Sequence, residues 1–294
     1  MNSKVRQTLD LLDAQFTQDN GLSYSSLETA LAQAQNSDDI ERETELTLDM
    51  ATRFSTIATF ASTLARGGQE LPGMPSAADA LEPAIQLYAR GLVLATKGND
   101  LNREKFARNR LGDCYVQSEQ FDKALVLLEH TLSLCQMPDD AFIMFDTVQK
   151  IGDCHVQLEN DAAALSAYER GLEIAKAIDD PFEVTVQLGK MASALSNLKR
   201  YDEALAHYAD SRDRLVRISV EPALQQRVSV HKHQFSVEAL PRVIAYTEQR
   251  MAHTRAALGR DLLRELPYRL ASIASAALTG QRAPDLSDWR CSAN

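Results

Sequence analysis

Apolar residues recur at helical spacing along most of the chain, and between about residues 100 and 212 that pattern repeats every 40 positions. "RLGDCYVQ" (110–117) returns as "KIGDCHVQ" (150–157), and "FDKALVLLEHTL" at 121 aligns without a gap to "DAAALSAYERGL" at 161 and "YDEALAHYADSR" at 201. Ala124, Ala164 and Ala204 coincide, followed four residues later by Leu128, Tyr168 and Tyr208. Asn99 with Asp100, Asp139 with Asp140 and Asp179 with Asp180 punctuate the units and read as N-caps, and Pro181 then sits in a first turn. Each unit predicts two helices. In the first, Leu111 and Tyr115 share a face with Gly112. A short polar turn (Ser118 to Gln120; Glu159 and Asn160) leads to the second, whose small Ala lets two helices approach closely.

This spacing resembles the tetratricopeptide repeat in its 40-residue form, as in kinesin light chains and LGN-type adaptors. The residues that carry the resemblance are Leu111, Gly112, Tyr115, Ala124 and Leu128. Ile151, Gly152, His155, Ala164, Tyr168 and Gly171 follow in the next unit, then Met191, Ala192, Leu195, Ala204 and Tyr208. Leu128, His155 and Ala192 depart from the family pattern, which weakens single contacts. The resemblance implies an all-α, right-handed superhelical solenoid of antiparallel helix pairs, capped at both ends. The expected layout is an N-terminal helical cap or degenerate repeat over 1–40 and a divergent repeat over 41–98 with an inserted loop at 67–79. Three 40-residue units follow over 99–220, then a C-terminal helical cap over 221–281 and a loose tail over 282–294. Within 221–281, helices are expected at 221–239, 242–258 and 259–279, with Pro241 and Pro267 as breaks or kinks.

Composition narrows function by exclusion. The net charge of −10 argues against a nucleic-acid partner. It is uneven: residues 1–210 hold 18 Lys/Arg and 33 Asp/Glu, and residues 211–294 hold 13 and 8. No apolar run approaches the roughly 20 residues of a membrane span. Four cysteines without a dense framework, and an N-terminus charged throughout, favour a cytoplasmic protein. Cys114 and Cys154 occupy packing positions, and His155 replaces a core Tyr. His231 and His233, two apart on a helix, point away from each other. The sequence therefore supplies no catalytic residue, no metal set and no cofactor motif.

The resemblance places the first helix of every unit on a concave, peptide-binding face. There Asn109, Arg110, Asp113 and Gln117 recur as Gln149, Lys150, Asp153 and Gln157, then as Lys190, Ser193 and Asn197. A basic column (Arg110, Lys150, Lys190) runs beside amides able to hydrogen-bond a peptide backbone. The plainer alternative is a solvated helix with i, i+3 ion pairs. The expected function is a non-catalytic adaptor or chaperone-like scaffold that holds a peptide of another protein. The alternative is a regulator that senses a peptide or small ligand through solenoid conformation. The apolar stripe of Leu262, Leu263, Leu266, Leu270, Ile273, Ala277 and Leu278 suits either a cap or a self-association surface.

Overall fold

The 40-residue spacing reappears in the helix boundaries. In the computed structural model, which describes residues 3–17, 22–68, 74–228 and 239–279, first helices start at 101, 141 and 181 and end at 117, 157 and 197. Among the described residues every regular element is an α-helix. The chain divides into two compact units, Met1–Leu158 and Glu159–Asn294.

The first unit holds α1 (Ser3–Thr17), α2 (Tyr24–Asn36), α3 (Ile40–Arg66), α4 (Ala77–Lys97), α5 (Leu101–Gln117), α6 (Phe121–Leu134) and α7 (Ala141–Gln157). From α2 onward each helix packs on the next. Ala84 and Ala124 are fully buried, and Tyr88 and Leu128 fill the space one turn on. Gly112 is required at its contact: a Cβ there would meet Leu128 Cδ2 at 2.8 Å. At the N-terminal end, Asp13 accepts from the Tyr24 N–H at 2.9 Å and from Arg53 at 2.8 Å, so the buried Arg53 clasps α1 and α3 together.

The second unit holds α8 (Asp161–Ala177), α9 (Pro181–Asn197), α10 (Tyr201–Val220), α11 (Pro222–Arg227) and α12 (Leu240–Thr279). Here α8 packs on α9, α9 on α10, and α10 on α12. Ala164 and Ala204 are fully buried, with Tyr168 and Tyr208 nearly so. Leu215, Ile218, Val228 and Leu240 form a small core that joins α10 to the start of α12.

Turn chemistry refines the capping expectation. Asp100 and Asp180 do cap, accepting from the N–H groups of Arg103 and of Phe182 and Glu183. Their partners Asn99 and Asp179 instead take left-handed φ values of 54° and 56°, which close the preceding helix. Glu119, Glu159 and Lys199 do the same, 40 residues apart, inside each pair. Asp140 makes no cap bond. Its carboxylate is taken by Lys105 at 2.5 Å and by the Gln136 N–H at 2.8 Å.

Other boundaries differ from expectation. The first helix of the divergent repeat runs for 27 residues against 17 in α5, so added length there is helix as well as loop. Ala77, Ala78 and Asp79 belong to α4, which opens with a Ser76–Asp79 capping box, and residues 69–73 of the expected loop lie outside the described residues. Toward the C-terminus, the described part of the helix expected over 221–239 holds the six residues of α11, which ends at Arg227, and 229–238 lie outside the described residues. The two helices expected after it are one 40-residue helix. Pro241 lies in its first turn, where the missing N–H is harmless, and helix continues through Pro267. The side chains of the apolar stripe from Leu262 to Leu278, both histidines of 231–233, and the tail over 282–294 lie outside the described residues.

Candidate functional site

In the first unit, α5 and α7 lie side by side and their repeated polar positions meet. Lys150 on α7 reaches Asp113 Oδ1 at 2.7 Å and Asn109 Oδ1 at 3.0 Å on α5, and Asp146 Oδ2 at 2.5 Å on its own helix. Asn109 also donates through Nδ2 to Thr147 Oγ1 at 2.9 Å and is 4% exposed. Arg110 is exposed; it lies over the Phe106 ring at 5.4 Å and touches Asp113 at 3.4 Å. Asp113, Gln117, Gln149 and Asp153 are partly exposed, and Gln157 is exposed.

The second unit arranges the equivalent positions differently. Ser193 stands where the first unit has Asp113 and Asp153. Its hydroxyl pairs with the Tyr208 hydroxyl at 2.9 Å and accepts from Arg250 Nη2 of α12 at 2.9 Å. Arg250 Nε also donates to the Tyr208 hydroxyl at 3.2 Å. Ser196 pairs with Thr254 of α12 at 3.1 Å, and Asn197 donates to Asp161 at 2.8 Å. Lys190 Nζ lies over the Tyr168 ring at 5.4 Å.

Comparison with known proteins rests on structure. No family model matches the sequence, and no curated protein matches it. Among solved structures, BtubC (BKLC) from P. vanneervenii superposes with a TM-score of 0.51 at 17% identity, over 88% of this chain and 94% of that one. The nearly identical TPR-like repeats of a protein described as a kinesin light chain, from Podosopora anserina, give 0.51 at 12% identity, over 76% and 99%. The fold is a tetratricopeptide-like repeat solenoid.

That tetratricopeptide-like frame explains a residue the sequence reading missed. Arg250, Met251 and Ala252 repeat Lys190, Met191 and Ala192, and Pro241 repeats Pro181, all at an offset of 60 rather than 40. The first half of α12 thus takes the place of a further first helix of the repeat, and Arg250 stands at the register position of Lys190. The signal lies in the sequence itself, displaced by the insertion after α10.

Buried thiols fill packing positions. Cys114 and Cys154 are fully buried. Burial, reinforced by Asp113, pushes the Cys114 thiol up to about 12; burial with Asp153 pushes Cys154 to about 11. At neutral pH such thiols stay protonated and are poor nucleophiles. His155 Nδ1 is buried and has no hydrogen-bond partner among the described residues. No group of three His, Cys, Asp or Glu able to hold a metal occurs among the described residues. No described helix is long and apolar enough to cross a membrane.

Proposed function

We propose that the chain is a non-catalytic interaction scaffold that holds a peptide segment of a partner protein against the first-helix faces of its repeats. The observation that carries this reading is the face shared by α5 and α7. Its polar side chains recur in register and remain partly or fully exposed at Arg110, Asp113, Gln117, Gln149, Asp153 and Gln157. A solvated surface needs charge but not the same amides at the same register. Asn109 leaves the contact set, because its amide is spent on Thr147 and Lys150. Its role is to fix Lys150, which holds Asp113 in place beside the exposed amides. In the second unit, Lys190, Ser193 and Asn197 form the corresponding face of α9.

Peptide display against the purified chain, followed by titration of the selected peptides, tests this. Arg110→Glu combined with Gln157→Lys should weaken binding at least tenfold without changing the circular dichroism. Unchanged affinity for every selected peptide would move the site off this face.

A further inference from the structure

We infer that Arg250, with Ser193 and the Tyr208 hydroxyl, forms a receptor for a carboxylate side chain of a bound acidic peptide. The inference rests on the peptide-scaffold reading and specifies what the second unit takes.

The reasoning starts from what a half-buried guanidinium needs. Arginine stays charged, carries five N–H donors in a planar fork and is matched best by a carboxylate. Arg250 spends Nε and Nη2 on two neutral hydroxyls, and among the described residues Nη1 has no partner and no carboxylate forms an ion pair with it. On its own helix, Tyr246, Thr247, His253 and Thr254 stand at the neighbouring i−4, i−3, i+3 and i+4 positions, and none is an acid. Across the contact, the register that supplies Asp113 to Lys150 supplies Ser193 to Arg250.

The cations that line the cleft of the second unit are paired with carboxylates instead. The cleft of about 330 Å³ between α8, α9, α10 and α11 is lined by Lys176, Arg214, Arg217 and Arg227. Those side chains pair with Glu173, Asp210, Glu221 and Asp179 respectively. Arg250 is held by hydroxyls that orient its fork and leave its charge uncompensated. That is the arrangement of a preorganised anion receptor. Lys190, one turn before Ser193 on α9, adds positive charge to the same face.

The probe is a blocked hexaglutamate peptide, with its hexaglutamine counterpart as control, titrated into the full chain by calorimetry at 50 mM and 300 mM salt. Wild type should bind the glutamate peptide alone, more weakly at the higher salt. Arg250→Gln should weaken binding at least tenfold. Arg250→Lys, which keeps the charge and loses the fork, should fall between them and guards against a folding artefact.

Ser193→Asp is decisive. It installs the carboxylate that the first unit already has, so it should raise the melting temperature while abolishing peptide binding. Stabilisation with binding unchanged would make Arg250 a purely structural residue and overturn the inference. So would absence of glutamate-peptide binding to wild type at millimolar concentration. In either case, display-selected peptides that depend on Arg110 and Gln157 would leave the scaffold reading standing.

Discussion

Two faces built from the same repeat positions settle their charges in opposite ways. Between α5 and α7, the cation at the repeated position meets carboxylates at 2.5 and 2.7 Å and an amide oxygen at 3.0 Å. Between α9 and α12, the cation at that position meets two hydroxyls. The first arrangement is closed on itself; charges there contribute to stability. The second gives the guanidinium no carboxylate among the described residues. Two changes account for the difference: Ser193 stands in place of an aspartate across the contact, and Tyr246 stands at the i−4 position that Asp146 holds before Lys150. Repeat proteins can differentiate their units in this way, because each unit can change its polar residues while the apolar ones maintain packing.

Removing the cation from each face measures the contrast directly. Lys150→Met strands Asp146 and the buried Asn109 oxygen and leaves Asp113 only its 3.4 Å contact with Arg110. Breaking a buried charge network costs about 3–5 kcal/mol, and partial exposure of these groups reduces that to about 2 kcal/mol. Urea denaturation should show the loss, and a cost under about 0.5 kcal/mol would mean the network is ornamental.

A second test concerns buried polar groups at one register position. Thr147 in α7 is fully buried and accepts from Asn109, while Gln187 in α9 is fully buried with neither amide atom bonded among the described residues. It packs against Gly171, where a Cβ would meet Gln187 Oε1 at 2.8 Å. Gln187→Met keeps the shape and removes the unmatched amide, so it should stabilise the chain by about 1–2 kcal/mol. Destabilisation would show that the amide holds a partner, such as an internal water.

The corresponding change on the second face should be milder. Arg250→Met forfeits hydrogen bonds to neutral groups, worth about 0.5–1.5 kcal/mol. A loss equal to that of Lys150→Met would erase the distinction between the faces.

The repeat made the architecture legible, and it failed where structure depends on more than periodicity. Alanines 124, 164 and 204, the aromatic or leucine positions after them, and the polar turns all fell where the 40-residue spacing put them. The engagement of Asn109 and Lys150 did not, because side-chain partners across a helix pair depend on rotamer and approach. A helical wheel shows which face a residue occupies and leaves open whether a neighbour has already taken its hydrogen bonds. Arg250 was hidden by the insertion that shifts its offset to 60, and the left-handed role of Asn99 and Asp179 by residue types that serve equally as caps.

The smallest expected effect separates the start of α7 from the start of α9. Asp180 caps α9 through two backbone N–H groups, whereas Asp140 opposite α7 is drawn away by Lys105. The Lys105 hydrogen bond, against some burial and with help from the Gln136 N–H, holds the Asp140 carboxyl below its ordinary value of 3.8. A carboxyl lowered in the folded state stabilises the fold above its unfolded value and loses that contribution as pH falls through the folded one. Acid should therefore weaken the α5–α7 region through this pair between about pH 5 and the lowered value. Lys105→Met removes the cause: stability at pH 7 should drop slightly, while stability near pH 3 changes less, so the acid limb flattens. Asp140 is partly solvated, which screens the interaction and keeps the change small. Denaturant midpoints at the two pH values provide the measurement. An acid limb of unchanged slope in Lys105→Met would mean that the ion pair contributes no pH dependence, and that Asp140 is held by the Gln136 N–H alone.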